Sequence, residues 1–330
     1  MSENAFLLDI VSSPSEVSDG LALMTMCRDE MFYLPAFLDY YRDMGVKRFY
    51  VVDDRSVDGS LEFLSRQPDV IVLHSRAPFE QPILVQGGGQ AGKNVNASIL
   101  WRTEMLNRFG CDSWCLLVDV DEFIRLPEGT GIKEVASRAE SEAMRSVMGV
   151  MLDVYPRDIS GLEVSTFEPG GNWFFDGAQH LKLRPGRKPK VVYGGSRARL
   201  MHQMGVAYAS TRDRLKWLLK GRRFPAFNAM HKPVLLRWRE GEFFTSSHDC
   251  TLAYSQTLLL PMAHYKFTHD TMRRVEQAVS EQNHFKGSFQ YQLLSDLLLR
   301  MRDRQSSFLY KKSVPIEDFS ALLRTGNARL

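Results

Sequence analysis

The chain has 330 residues, of which 44% are hydrophobic and 25% charged, a composition typical of a soluble globular protein with a sizeable core. Its formal charge of +3 excludes a polyanion-binding tail and a disordered acidic chain. No apolar run approaches the ~20 residues that span a bilayer, the first residues lack a signal-peptide pattern, and four cysteines are too few for a disulfide framework. We therefore expect a cytoplasmic protein with reduced thiols.

The first 125 residues alternate between short apolar runs and amphipathic stretches. The expected strands cover residues 21–27, 49–52, 70–73 and 114–118, and the expected helices cover residues 31–44, 61–66 and 94–109. Uninterrupted apolar strands separated by helices indicate a parallel sheet that is covered on both faces. The fold class predicted from this pattern is α/β, with an open and mostly parallel sheet flanked by helices.

The remaining residues alternate less regularly. Strands are predicted over residues 148–155, 234–237 and 262–267, and helices over residues 270–282 and 288–304. We expect a leader at 1–20, a nucleotide-binding half at 21–125, an acceptor-side half of the same domain at 126–285 and a helical segment at 286–330. The leucines of the last helix predict packing against the core. Pairing with a second subunit and peripheral contact of the basic residues of this segment with an anionic membrane are the alternatives.

Charge is distributed unequally between the two halves of the chain. Residues 1–150 carry 14 Lys and Arg against 23 Asp and Glu, a net charge of −9, whereas residues 151–330 carry 28 against 16, a net charge of +12. The halves therefore face different chemistry. This asymmetry predicts a cation site in the first half and an anion-binding site in the second.

The motif WCLLVDVDEF places Asp119 and Asp121 where a predicted strand leaves the sheet. Side chains two positions apart in an extended segment point the same way, so both carboxylates can converge on one hard cation. Mn²⁺ and Mg²⁺ prefer such oxygen ligands. The alternative, that these acids are solvated turn residues, is weakened because two other predicted strands also end in acid.

Those two strands are followed by Asp29 and Glu30, and by Asp53 and Asp54. Ligands of open α/β sheets bind beyond the carboxyl ends of the strands. An acid at the position of Asp53 commonly accepts hydrogen bonds from a ribose hydroxyl or a base N–H group. For Asp54, a role in the turn or as a helix cap is equally consistent with the sequence.

The glycine-rich stretch from Gly87 to Lys93 resembles most of a Walker A loop, which makes a P-loop ATPase or kinase an alternative. Asn94 stands where a Walker A loop has the Ser or Thr that binds Mg²⁺, and the stretch follows two strand–helix units instead of the first strand. These features favour a loop near the nucleotide over a P-loop.

A basic cluster lies at residues 182–223, with thirteen Lys and Arg and a single acid. Within it, Arg197 and Arg199 follow two glycines, so that backbone N–H groups and guanidinium groups can bind phosphate together. Opposite an acidic site, one such segment fits a diphosphate or an anionic lipid better than nucleic acid. A solvated basic surface is the alternative interpretation.

Three of the eight histidines have informative surroundings, and of these His231 is expected to be structural. His264 lies in a predicted strand and can reach a cation held beside the Asp-x-Asp motif, while His248 is followed by Asp249. A lone histidine is more often structural than a ligand. The sequence has neither a Gly-x-Ser-x-Gly elbow nor a His-Glu-x-x-His helix, so a serine hydrolase and a zinc protease are not supported.

The motifs CRDEMFYLPAFLDYYRDMGVKRFYVVDDRSVDGS, WCLLVDVDEF, GGSRARL, PVLLRW, SSH and AHYKF together resemble the family 2-like glycosyltransferases of bacterial surface-polysaccharide synthesis, which have the GT-A fold. The similarity covers about residues 20–290 and is most specific in the first 125. It implies transfer of a sugar from a nucleotide-diphosphate donor to a saccharide or lipid-linked acceptor, with Mn²⁺ or Mg²⁺ as cofactor. A non-catalytic sugar-binding relative is the other alternative.

The resemblance also implies roles for individual residues. The metal ligands are then Asp121, His264 and, with either the metal or the ribose, Asp119. Donor contacts are implied for Asp29, Glu30 and Asp53, while Arg197 and Arg199 are expected to face the phosphates. The family's acceptor-side signature is absent from the sequence, so Asp176, His248 and Asp249 all remain candidates for the catalytic base.

Overall fold

The structure, a computed structural model, describes residues 6–14, 20–206, 229–280 and 289–330, together with Leu215 and Leu219. The strands in chain order are β1 (Leu8–Ser12), β2 (Leu21–Cys27), β3 (Val46–Asp53), β4 (Val70–Ser75), β5 (Pro82–Leu84), β6 (Asn94–Asn96), β7 (Trp114–Leu117), β8 (Glu122–Ile124), β9 (Ser146–Asp153), β10 (Phe174–Asp176), β11 (Leu181–Lys182), β12 (Lys190–Val191), β13 (His231–Arg237), β14 (Phe244–Ser246), β15 (Asp249–Cys250), β16 (Leu259–His264) and β17 (Ser313–Pro315). The helices are α1 (Leu34–Asp43), α2 (Ser60–Ser65), α3 (Ala97–Phe109), α4 (Ile132–Ser141), α5 (Gly195–Met204), α6 (His269–Ser280), α7 (Phe289–Asp303) and α8 (Phe319–Arg324).

The chain has an α/β fold in which helices flank a large mixed sheet. It divides into two compact units, neither of which is a continuous piece of chain. Unit 1 comprises Met1–Val120, Glu128–Gly149 and Lys232–Leu258, and unit 2 comprises Asp121–Pro127, Val150–His231 and Leu259–Leu330.

In unit 1 the strands follow one another in the order β1, β4, β3, β2, β7, β13 and β9. The pairs β4–β3, β3–β2 and β2–β7 are parallel, which confirms the parallel sheet predicted for these four strands. The pairs β1–β4 and β13–β7 are antiparallel, so the sheet is mixed. Strand β1 lies within the segment that we expected to be a leader.

The core of unit 1 explains why its elements form. All seven residues of β2 are buried, as expected for a central strand with helices over it. Helix α1 buries Leu34, Phe37, Leu38 and Tyr41, a spacing that places them on one face. Each such side chain contributes roughly 1.5–3 kcal/mol when it is fully buried.

In unit 2 the strand order is β9, β16 and β8, and β16 pairs antiparallel with β8. Strand β9 has residues in both units because the boundary falls between Gly149 and Val150. A separate apolar cluster joins α5, α6 and α7 through side chains that include Leu200, Val275 and Leu297. The predicted packing of the last leucine-rich helix against a core is therefore confirmed.

All four cysteines lie in the described part of the chain and are unpaired thiols. Burial raises the pKa of Cys115 and of Cys250 to about 12, so neither ionises near neutral pH. Among the described helices, we find none with the length and apolar character that crossing a membrane requires.

Candidate functional site

The loops that follow β2 and β3 in unit 1 are joined by hydrogen bonds. Ser56 Oγ accepts from the backbone N–H of Asp29 (2.9 Å), and Asp29 Oδ1 accepts from Val57 N (2.7 Å). Asp53 Oδ2 accepts from Ser56 N (3.2 Å). Asp29 has a φ of +56°, a left-handed conformation uncommon outside glycine. The structure thus brings Asp29 and Asp53 into one hydrogen-bonded loop pair, with Asp53 buried.

Glu30 has a backbone role at the start of α1. Its N–H group donates to Ser60 Oγ (3.2 Å), and its carbonyl accepts from Leu34 N (3.1 Å). The neighbouring Asp54 is buried and contacts the guanidinium of Arg55 at 3.1 Å. These contacts fix the loops without assigning the Glu30 side chain to a ligand.

Asp119 follows β7 and contacts two buried, positively charged side chains of unit 1. Its Oδ1 atom is 2.8 Å from Lys232 Nζ and 3.4 Å from Arg102 Nη2. The Asp119 side chain is 40% exposed, whereas that of Lys232 is 1% exposed. A buried ammonium is costly unless it is paired, so Asp119 serves as the counter-charge of Lys232, and this contact orients its carboxyl group.

The sequence analysis identified neither of these positively charged side chains. Lys232 begins the apolar stretch that forms β13, and Arg102 lies on the buried face of α3 beside Trp101. A cation within an otherwise apolar run is the signal that could have identified them. Their common partner, however, is distant in the chain and follows from the fold alone.

In unit 2, four side chains form a continuous series from Asp121 to Arg197. His264 Nε2 is 3.6 Å from Asp121 Oδ2, and His264 Nδ1 is 2.6 Å from Asp153 Oδ1. The other oxygen of Asp153 accepts from Arg197 Nε at 2.6 Å. We call it the Asp121–Arg197 series. It brings together three residues that the sequence suggested and adds Asp153, which the sequence analysis did not identify.

The ionisation of Asp153 follows from its neighbours. Burial by itself would raise the pKa of this carboxyl group, but the Arg197 guanidinium and His264 hold that pKa well below its usual value. Asp153 is therefore a carboxylate near neutral pH and acts as a hydrogen-bond acceptor. At the Asp121 end of this series of side chains, Lys266 Nζ contacts Asp121 Oδ2, and the Lys266 side chain is 35% exposed.

The expected metal can be tested against the atoms present. Asp121 and His264 offer an oxygen and a nitrogen, which suit Mn²⁺, and a carboxylate on the far ring nitrogen is usual for metal-bound histidine. Within the described ranges, no group of three His, Cys, Asp or Glu side chains could hold a metal. One or two protein ligands suffice when phosphate oxygens and water complete the shell. Asp121 and His264 are thus the two residues that would hold such a cation.

Asp176 and Arg199 form a buried ion pair in unit 2. Arg199 Nη2 lies 2.9 Å from Asp176 Oδ1, and the hydroxyl groups of Tyr155 and Tyr193 donate to the same carboxylate at 2.7 and 2.6 Å. Burial and the Asp176 charge raise the pKa of both tyrosines. The Asp176 carboxylate is occupied by these donors, so these contacts do not favour Asp176 as a base or Arg199 as a phosphate ligand.

His248 and Asp249 lie in the hairpin of β14 and β15 in unit 1. Ser246 Oγ accepts from His248 N (3.2 Å) and donates to Asp249 Oδ2 (3.4 Å). Both residues are partly exposed. Their side chains are therefore accessible to solvent at the tip of a hairpin, and they remain candidates for the base.

The glycine-rich stretch does not have the geometry of a P-loop. It connects β5 to β6, which pair with each other antiparallel, and α3 begins only at Ala97. A Walker A loop instead leads from a strand directly into the helix that binds phosphate. Gln90 Nε2 donates to the Phe244 carbonyl (3.0 Å), which attaches the stretch to the hairpin of His248.

The basic cluster is described only in part. Residues 207–228 lie outside the described residues apart from Leu215 and Leu219, so the expected phosphate-binding role of this cluster is not addressed there. Of its described members, Arg187, Lys188 and Lys190 are exposed. The guanidinium groups of Arg197 and Arg199, by contrast, are buried on α5.

The chain matches no protein-family model and no curated protein sequence. Among solved structures it is similar to HddC from Yersinia pseudotuberculosis, with 10% sequence identity and a TM-score of 0.27. The similarity covers 42% of this chain, which spans 61% of the HddC chain. A similarity at this level carries no argument about fold or function.

Proposed function

We propose that the chain is a glycosyltransferase that moves a sugar from a nucleotide-diphosphate donor to a saccharide or lipid-linked acceptor. The observation that carries this proposal is the pairing of Asp121 with His264 at 3.6 Å, with the far side of the imidazole held by Asp153. An oxygen and a nitrogen ligand with an outer carboxylate suit a divalent cation. The sequence resemblance supports the same conclusion.

The parallel strands of unit 1 support a nucleotide as the donor. Ligands of open α/β sheets bind beyond the carboxyl ends of the strands, and Asp29 and Asp53 occupy the loops there. Asp119 is half exposed, and its Oδ1 contacts Lys232. In this proposal Asp119 accepts a hydrogen bond from a ribose hydroxyl, because its side chain is partly exposed and is held in place by Lys232.

The chemistry proposed is displacement at the anomeric carbon of the sugar. When bound, Mn²⁺ or Mg²⁺ supplies positive charge to the leaving diphosphate. Asp121 and His264 would hold the cation, and a general base takes the proton from the acceptor hydroxyl. We place the reaction in the cytoplasm, where peripheral contact with the inner membrane face would give access to a lipid-linked acceptor.

A thermal-shift panel with UDP, GDP, CDP and ATP tests the proposal. We expect one nucleoside diphosphate to raise the melting temperature in the presence of Mn²⁺, and EDTA to abolish the increase. Asp121→Asn removes a ligand and should remove the Mn²⁺-dependent part of the shift. Asp39→Asn is the matched control, since this acid is exposed on α1.

The matching nucleotide-sugars are then assayed for hydrolysis and transfer. Loss of turnover in Asp121→Asn with full turnover in Asp39→Asn is the expected result. Turnover that is insensitive to EDTA and unchanged in Asp121→Asn would refute the metal-assisted mechanism. Binding of a nucleotide-sugar without any turnover would instead identify a non-catalytic sugar-binding relative.

A further inference from the structure

Helix α5 carries two buried arginines, Arg197 and Arg199, each paired with a buried aspartate at the end of a strand. Asp153 ends β9 and accepts from Arg197 Nε at 2.6 Å. Asp176 ends β10 and accepts from Arg199 Nη2 at 2.9 Å. The two pairs are alike in burial and charge, so their differences show what each adds to the fold.

The difference lies in the second partner of each aspartate. Asp176 receives two tyrosine hydroxyl groups, which together with Arg199 surround its carboxylate with donors. Asp153 contacts a ring nitrogen of His264 at 2.6 Å, and the other nitrogen of that ring faces Asp121. One pair is therefore structural, and the other is continuous with the proposed cation site.

We propose that Asp153 is a positioning residue that fixes the tautomer and orientation of His264, so that Nδ1 carries the proton and Nε2 presents its lone pair towards Asp121. That a metal cation binds this lone pair rests on the proposed function. Arg197 acts through Asp153 by donating to its other oxygen at 2.6 Å, which orients the carboxyl group towards His264. Arg197 is thus assigned to holding the histidine instead of to the phosphates.

The backbone supports this arrangement at both ends. Val154 N donates to the His264 carbonyl (3.0 Å), and Ser196 Oγ donates to the Asp153 carbonyl (2.9 Å). Gly195 has a φ of +76°, and a Cβ there would lie 3.7 Å from Asp153 Oδ2 and 2.9 Å from Met230 Cε. The positive φ and the tight contact with Met230 therefore favour glycine at the start of α5.

Asp153 also determines which proton position the ring can adopt. A carboxylate accepts hydrogen bonds and cannot donate them, so a 2.6 Å contact requires the proton on Nδ1. A neutral imidazole with its proton on Nδ1 has an acceptor at Nε2. That acceptor is the form in which histidine binds a metal.

The tautomer of His264 can be measured by NMR on ¹⁵N-histidine-labelled full-length protein at about pH 8, above the usual histidine pKa of about 6.5. His264→Gln assigns its signal among the eight histidines. We expect the Nδ1–H tautomer in the unaltered protein. Asp153→Asn, whose amide can donate to Nδ1, should shift His264 towards the Nε2–H tautomer.

Asp176→Asn is the matched control, because it alters an equally buried pair on the same helix. A purely structural contribution of such pairs would lower stability in both variants, whereas only Asp153→Asn should change the His264 signal. An Nε2–H tautomer in the unaltered protein, or a signal unchanged by Asp153→Asn, would overturn the proposal. The measurement on the unaltered protein decides the question even if Asp153→Asn fails to fold.

Titration with Mn²⁺ alone adds a second readout. Paramagnetic broadening should reach the His264 signal at low Mn²⁺, and Asp153→Asn should weaken this binding about 10–100-fold. A His264 signal that Mn²⁺ does not broaden would overturn the claim that Nε2 binds the cation. Should no nucleotide-sugar be turned over while the tautomer responds as expected, the glycosyltransferase proposal would fail and the positioning role would stand.

Discussion

The two aspartates of the Asp-x-Asp motif are separated by a single residue in the sequence but have neighbours of different character. Asp119 contacts cations that are fixed in the core of unit 1, with Lys232 only 1% exposed. Asp121, in unit 2, contacts His264 and the side chain of Lys266, which is 35% exposed. A fixed internal cation neutralises a carboxylate permanently, whereas a surface lysine can be displaced. The motif therefore combines an acid whose charged partner is fixed in the core with an acid whose lysine partner is exposed enough to move away.

The largest expected difference between the two acids is in stability. Asp119→Asn leaves the buried ammonium of Lys232 without this counter-charge and should lower the free energy of unfolding by about 3 kcal/mol. Asp121→Asn should cost about 1 kcal/mol or less, because Lys266 can turn to water. Urea unfolding of both variants measures this, with Asp39→Asn as a surface control. Equal losses in the two variants would remove the distinction.

A second prediction concerns stability at low pH, where the unaltered protein should differ from Asp153→Asn. The pKa of Asp153 is lowered in the folded state from its ordinary value of 3.8, so its stabilising contribution is complete above that value and is lost as the pH falls towards the folded pKa. Urea unfolding at a series of acidic pH values should show a steeper loss in the unaltered protein than in Asp153→Asn. Parallel curves would show that Asp153 is not selectively stabilised as a carboxylate.

The smallest effect is expected at Lys266. Its ammonium competes with a divalent cation for Asp121 Oδ2, and an exposed ion pair contributes up to about 1 kcal/mol. Lys266→Met should therefore tighten Mn²⁺ binding by about fivefold and change stability little. Mn²⁺ titration measures this, with Lys133→Met, exposed on α4, as control. Weaker Mn²⁺ binding in Lys266→Met would contradict the displacement of Lys266 from Asp121 by the cation.

The sequence predicted the elements whose signal is local. Strand β2 begins and ends where expected, at Leu21 and Cys27, because seven apolar or small residues are bounded by Gly20 and Arg28. The start of β7 at Trp114 and the acid that ends β3 were equally predictable. Continuous apolar strands also gave the parallel pairing in unit 1.

The rest depends on contacts between distant parts of the chain. Asp153 and His264 are 111 positions apart, and nothing near Asp153 in the sequence distinguishes it from any other acid at the end of a strand. The antiparallel pairing of β13 with β7 places Lys232 beside Asp119, and no periodicity encodes that neighbour. Burial of Arg199 against Asp176 was likewise hidden, because an arginine within a basic cluster resembles a solvated one.

The most direct test of the central claim is to locate the cation. A crystal grown with Mn²⁺ and the nucleoside diphosphate selected by the thermal-shift panel is measured at the manganese absorption edge. The account predicts an anomalous peak about 2.0–2.3 Å from both Asp121 Oδ2 and His264 Nε2, with Lys266 displaced from Asp121. A fully occupied peak elsewhere, or bound nucleotide with no peak at Asp121, would contradict it.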